Sequence, residues 1–139
     1  MPWLAAFSSR AVGEELPGLR RRVQARLRVE GASAQVIERV GILVSELAHN
    51  AAEACSRGSR VHVTLRDREP GLELAVECVD NCDFEEVARG LAASAELPQP
   101  EDERGRGLWL VRQWSRGLRV ERGRGGWVRL ALTVREDGD

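Results

Sequence analysis

The stretch SELAHNAAEA, residues 45–54, sets a carboxylate and a carboxamide one helical turn apart in a run otherwise rich in Ala and Leu. At about 100° per residue, Val36, Val40, Leu43, Leu47, Ala51 and Ala54 form one apolar stripe. Asn50 falls on the edge of that stripe beside Leu43. Glu46 lies just outside it, and Glu53, Ile42 and His49 continue round the helix. A solvated-face residue would sit opposite the stripe, not on its shoulder. Taken alone, Asn50 still reads as an edge residue hydrogen-bonded to a neighbouring loop, because buried amides find partners. The rest of the chain has to decide.

Outward from this helix, the flanking patterns are regular. Residues 3–7 read as a short strand. Glu14 to Glu30 has helical spacing at Leu16, Leu19, Val23 and Leu27, with arginines on the other face and Gly31 as a stop. Ser33 can cap the longer helix, which runs to about Arg57 and is closed by Gly58. Val61, Val63 and Leu65, then Leu72, Leu74 and Val76 after the turn signal REPG, alternate as a hairpin does. Residues 84–91 read as a short helix and 92–104 as an acidic loop with two prolines. A helix over 108–115 and two strands, 118–122 and 127–134, joined by GRGG, complete the chain. The order predicts an α/β single-domain two-layer sandwich, with a mixed, mostly antiparallel sheet and its helices on one face.

At 139 residues, 42% hydrophobic and 31% charged, the chain suits one globular domain with a real core. No apolar run reaches the roughly 18 residues of a membrane span, and MPWLAAFSSR lacks the pattern of a signal peptide, so the expectation is a cytoplasmic protein. Three cysteines, an odd number without framework spacing, read as reduced thiols. All 21 basic residues are arginine, which excludes any mechanism that needs a phosphate-binding or Schiff-base lysine. The net charge of −1 gives no global attraction to nucleic acid.

Two further stretches bear on Glu46 and Asn50. The strand LELAVECV ends in Asp80-Asn81-Cys82-Asp83-Phe84, placing a carboxylate where strand gives way to loop. By itself this is a turn Asp that caps the next helix. Gly105-Arg106-Gly107-Leu108-Trp109-Leu110-Val111 sets two glycines directly before an apolar helix start. Glycines there let backbone N–H groups approach a phosphate, and the helix N-terminus adds about half a positive charge. A lone Gly-x-Gly, however, is most often just a loop.

In this order and spacing the three stretches resemble the nucleotide-binding boxes of the GHKL (Bergerat-fold) ATPases, in particular the small bacterial branch of anti-sigma-factor serine kinases. SELAHNAAEA resembles the N box, VDNCDF the Asp-x-Gly box and GRGLWLV the second glycine box. The resemblance covers nearly the whole chain and implies one histidine-kinase-like ATPase domain over 1–139, with a lid at about 85–104. It implies ATP and Mg²⁺ as cofactors, with Asn50 as the Mg²⁺ ligand. It implies Glu46 as general base toward a serine of a protein substrate or a water, and Asp80 as acceptor of the adenine amino group. Gly105, Gly107 and Leu108 would carry the phosphate end of the lid, and Cys82 would lie under the adenine. The implied partner is a sigma factor or an anti-anti-sigma-like domain, with homodimerisation left open.

The sequence departs from the family pattern at two places. Cys82 and Phe84 stand where the family has glycines, and a Cβ at Cys82 restricts the backbone and crowds the adenine. Glu53 or Ala54 stands where a basic residue is common. These changes favour a rival reading, a family member without catalysis that sequesters a partner. A second rival, a nucleic-acid binder, rests on seven arginines and two tryptophans in residues 104–124. Those arginines spread over a helix and two strands, so no nucleic-acid partner is expected. A metal site from His49, Cys55, Cys78 and Cys82 lacks the geometry of a zinc knuckle.

Overall fold

The periodicities become elements in the order β1 (Trp3–Arg10), α1 (Leu16–Val29), α2 (Ala34–Ala54), β2 (Arg60–Arg68), β3 (Gly71–Val79), β4 (Ser115–Arg122) and β5 (Trp127–Val134). A computed structural model describes residues 2–54, 59–68, 71–79, 89, 109–122 and 127–136. The five strands form one sheet in the order β1-β2-β3-β5-β4. Every described pairing is antiparallel, so the expected mixed sheet has no parallel pair among the described residues.

Local sequence explains the helix boundaries. Helix α1 ends where Gly31 takes φ +80. There Ala32 N donates to Leu27 O at 3.0 Å and Gly31 N to Arg28 O at 3.1 Å, the double closure that a left-handed residue permits. Ser33 then accepts the Val36 N–H on its Oγ at 3.2 Å, which caps α2. The two helices return antiparallel and approach closely at Gly41, where a Cβ would run into the amide of Gln24. That amide instead donates to Ile37 O at 3.1 Å.

One face of the sheet and both helices share the core. Val61, Val63 and Leu65 of β2 register with Cys78, Val76 and Leu74 of β3, and all six side chains are buried against Leu19, Val23, Leu43 and Leu47. Burying side chains of this size stabilises by about 1.5–3 kcal/mol each before entropy is counted. Strand β4 begins at Ser115, three residues before the expected 118, because the preceding helical residues stop at 113. A bulge between Arg116 and Arg119, with Gly117 at φ +60, lets the strand regain its register.

Cys78 corrects the reading of the cysteines. It is fully buried and disulfide-bonded, so the chain does not hold three reduced thiols. Three cysteines leave room for one bridge within the chain. Cys55 and Cys82 lie outside the described residues. So do the expected lid at 85–104 and the expected helix at 84–91, apart from Arg89, which is helical. Among the described residues no helix is long and apolar enough to cross a membrane.

Candidate functional site

Helix α2 has two unlike flanks. The predicted stripe is buried at Val36, Val40, Leu43, Leu47 and Ala51, and burial continues through Val44 and Ala48 on the flank that meets α1. On the opposite flank the helix keeps Arg39, Glu46 and Asn50, which lie close in angle at about 100° per residue. Glu46 and Asn50 are both half-buried, one turn apart. Neither side chain hydrogen-bonds to any described residue, so the loop partner expected of an ordinary edge Asn is not found there.

The same flank receives the segment that follows the Gly-x-Gly stretch. Residues 109–113 are helical, and Val111 is fully buried in the core. The Trp114 ring lies under the guanidinium of Arg39, 5.3 Å from its centre, and Arg39 Nη1 donates to Arg135 O at 2.8 Å. Ser115 Oγ donates to Val111 O at 2.5 Å and fixes the turn from helix to β4. Arg39 lies about three turns before Asn50 on one side of the helix. Trp114, just after the helix that GRGLWLV was expected to open, therefore meets the same side of α2 as Asn50, about three turns nearer its start.

The strand ends meet one another at the end of the sheet where β2 begins. Val79, the last residue of β3, pairs with Trp127, the first of β5, and Cys78 pairs with Val61 at the start of β2. That start lies shortly after the end of α2 in sequence. Of the expected site residues, Glu46 and Asn50 thus share one flank of α2. Asp80, Cys82, Gly105, Gly107 and Leu108 lie outside the described residues.

Glu53, the acidic departure from the family pattern, turns to a neighbour on its own helix. Its Oε1 lies 3.4 Å from His49 Nε2, and both side chains are well exposed, at 62% and 60%. An exposed i,i+4 pair contributes only a few tenths of a kcal/mol. Both side chains lie at the surface of the helix.

Sequence reasoning missed a second cluster, on the uncovered face of the sheet. Glu73 of β3 is only 7% exposed, although it occupies an outward position. Its carboxylate accepts from Arg119 at 2.9 Å, Arg68 at 3.1 Å and Arg129 at 3.2 Å. Arg129 also donates to Glu77 at 2.9 Å, and Arg119 to Glu121 at 2.8 Å. Burial pushes the Glu73 carboxyl up, but the hydrogen bond from Arg119 and the charges of Arg119, Arg68 and Arg129 outweigh it and hold it below the usual range. The same contacts raise Arg119. The strand pattern marks Glu73 as solvent-facing, and its partners lie up to 56 residues away, so no local signal identifies the cluster.

Comparison with known proteins agrees with this architecture. Residues 10–132 match the histidine kinase-like ATPase domain family, a span that takes in α1, α2 and most of the sheet. No functionally curated protein matches the sequence. Among solved structures, a chain in the crystal structure of the SiaB–SiaC complex from Pseudomonas aeruginosa is similar at TM-score 0.68 and 18% identity. The match covers 94% of this chain and 88% of that one. At this identity the likeness shows the fold.

Proposed function

This chain belongs to the histidine kinase-like ATPase family, and from that premise we propose that it binds Mg·ATP and regulates a protein partner. One observation carries the reading: Glu46 and Asn50 sit half-buried on one flank of α2, without partners among the described residues. Neither residue has a buried side-chain polar atom that lacks a partner, so these polar groups stay open to water and are free to meet a ligand.

The carbonyl oxygen of Asn50 suits a hard cation that keeps several of its waters. In this reading Asn50 holds Mg²⁺, which neutralises phosphate charge when bound. Asp80 follows directly on β3 and accepts the adenine amino proton. Gly105, Gly107 and Leu108 offer backbone N–H groups to the phosphates at a helix N-terminus. Glu46, one turn before Asn50, takes the proton from a serine hydroxyl of the partner or from a water. The partner is of the sigma-factor or anti-anti-sigma type, and the SiaB–SiaC complex supports a protein partner for this fold. A need for ATP fits a protein that works in the cytoplasm.

Calorimetric titration with ATP and ADP, with and without Mg²⁺, tests the binding half of the proposal. Transfer of labelled γ-phosphate to a serine-bearing partner tests the catalytic half. A second reading, sequestration of the partner without phosphotransfer, is favoured by Cys82 in place of a glycine. Partner binding without transfer would select it. Glu53 in place of a basic residue favours it as well.

A further inference from the structure

A second group of polar side chains lies where the edge strand β1 meets α1. Arg10, the last residue of β1, stands directly opposite Arg60, the first of β2. Like charges facing each other across a strand pair destabilise it. Arg10 is compensated: its Nε and Nη2 donate to the Glu15 carboxylate at 2.9 and 3.0 Å. That hydrogen bond and the charge of Arg10 hold Glu15 below its usual range.

The other guanidinium groups hydrogen-bond to no carboxylate, although the charge of Arg60 also acts on Glu15. Arg60 Nε donates to the hydroxyl of Ser8 at 2.9 Å, and Arg22 Nη2 donates to the Ser8 backbone oxygen at 3.0 Å. Both acceptors are neutral. Arg21 is exposed and makes no hydrogen bond or ion pair with any described residue. The four arginines line one open cleft of about 450 Å³ together with Ser8 and Glu14. Four arginines against Glu14 and Glu15 leave a formal excess of two positive charges, on a chain whose net charge is −1.

We propose that this cleft binds a phosphate monoester dianion, borne by a phosphorylated side chain or free in solution. Guanidinium forks match phosphate oxygens two at a time and remain charged at every physiological pH. Ser8 accepts from Arg60 and so keeps its own O–H to donate to an oxyanion. An excess of two positive charges suits a dianion better than a single carboxylate. Glu14 and Glu15 on the rim repel an extended polyanion, which sets the site against nucleic acid. The inference does not depend on the nucleotide reading of α2.

The test is calorimetric titration of the full chain with inorganic phosphate, with acetylated and amidated phosphoserine, and with the unphosphorylated serine compound. Both phosphate probes should bind and the serine compound should not. Arg21→Ala and Arg60→Ala should each weaken binding about tenfold, the loss of one charge-assisted contact. Arg28→Ala, an exposed arginine of α1 outside the cleft, should leave it unchanged. Arg21 has no partner to lose, so Arg21→Ala should melt as the wild type does. Binding should strengthen as pH rises through about 6, where the second phosphate proton leaves. Tighter binding of phosphoserine than of phosphate assigns the site to a phosphorylated side chain, and equal binding assigns it to free phosphate. Equal affinity for the serine compound, equal loss in Arg28→Ala, or no binding at millimolar probe would each overturn the proposal. So would loss of phosphate binding in Asn50→Ala, which would put the anion on α2, or tighter binding of a single-stranded oligonucleotide through the same arginines.

Discussion

Asn50→Ala separates a ligand-binding residue from a structural one by the sign of its effect on stability. In the free protein the carboxamide is half-buried and has no partner among the described residues, so its removal breaks no hydrogen bond found there. Alanine is the better helix former by up to about 0.7 kcal/mol in a helix interior. The unliganded variant should therefore be as stable as the wild type or slightly more so. For a chain of this length that corresponds to a melting temperature unchanged or raised by up to about 3 °C. An Asn holding a neighbouring loop would behave oppositely, losing about 1 kcal/mol or more and some 3–4 °C.

The liganded protein should reverse the order. Mg·ATP at about a hundred times its dissociation constant stabilises the wild type by roughly 2.7 kcal/mol, which raises its melting temperature by close to 10 °C. In Asn50→Ala the rise should be much smaller with Mg²⁺ and indifferent to its removal. Thermal melts of both proteins, free, with ATP and with Mg·ATP, read all of this in one experiment. A free variant that melts several degrees below the wild type would refute the argument. So would a variant that keeps the full Mg²⁺-dependent rise.

Three other perturbations follow from the same reasoning. Glu46→Gln should leave ATP and partner affinity within a few-fold and lower phosphotransfer about 10²-fold or more, and full transfer activity would place the base elsewhere. Asp80→Ala should weaken ATP by about 1–3 kcal/mol in calorimetry, and GTP should bind the wild type poorly, because its carbonyl would face the carboxylate; equal affinity for ATP and GTP would sink the assignment. Glu73→Ala should cost about 2–3 kcal/mol in urea unfolding at pH 7, less than a fully buried pair, since Arg119 and Arg129 keep Glu121 and Glu77. Because folding lowers the Glu73 pKa, its contribution is complete above the ordinary carboxylate range and is lost as pH falls through the folded value. The gap between wild type and variant should therefore close in acid.

What the sequence made legible was periodic or chemically unusual. The stripe of α2, the Ser33 cap, the Gly31 stop and the β2–β3 hairpin each rest on a few neighbouring residues, and each is found. The start of β4 was misplaced because Gly117 sits in a bulge, a conformation that the pattern of apolar residues does not encode. Fully antiparallel pairing and the Glu73 cluster depend on strands brought together from distant parts of the chain. The disulfide at Cys78 depends likewise on tertiary approach, which spacing alone does not give. The shoulder position of Glu46 and Asn50 was readable, since one helix determines it. That the Arg39–Trp114 contact would bring the segment after the Gly-x-Gly stretch to the same flank was not readable from that helix.

The two flanks of α2 suggest how one helix can both pack in the core and form a wall of the proposed site. On the α1 side, Gly41 leaves room for the ends of the Gln24 and Arg20 side chains, and Val44 and Ala48 are fully buried. Gln24 and Arg20 then tie across to Ile37 and Ser45 at 3.1 and 3.3 Å. Helical stability in a protein comes mainly from such packing. With that flank fixing the helix in place, the other can carry polar groups whose partners lie outside the protein. A ligand group held on a rigid helix loses little conformational entropy on binding, whereas the same side chains on a loop would have to be ordered first. Weakening the α1 contact should then damage binding at a distance. Gly41→Val, which forces Gln24 away from Ile37 and displaces Arg20, should cost about 1 kcal/mol of stability through the lost hydrogen bond. It should also weaken Mg·ATP, although it touches neither Glu46 nor Asn50. If calorimetry finds Mg·ATP affinity unchanged in a Gly41→Val protein shown by urea unfolding to be destabilised, the two flanks are energetically independent and rigidity is not what the packing supplies.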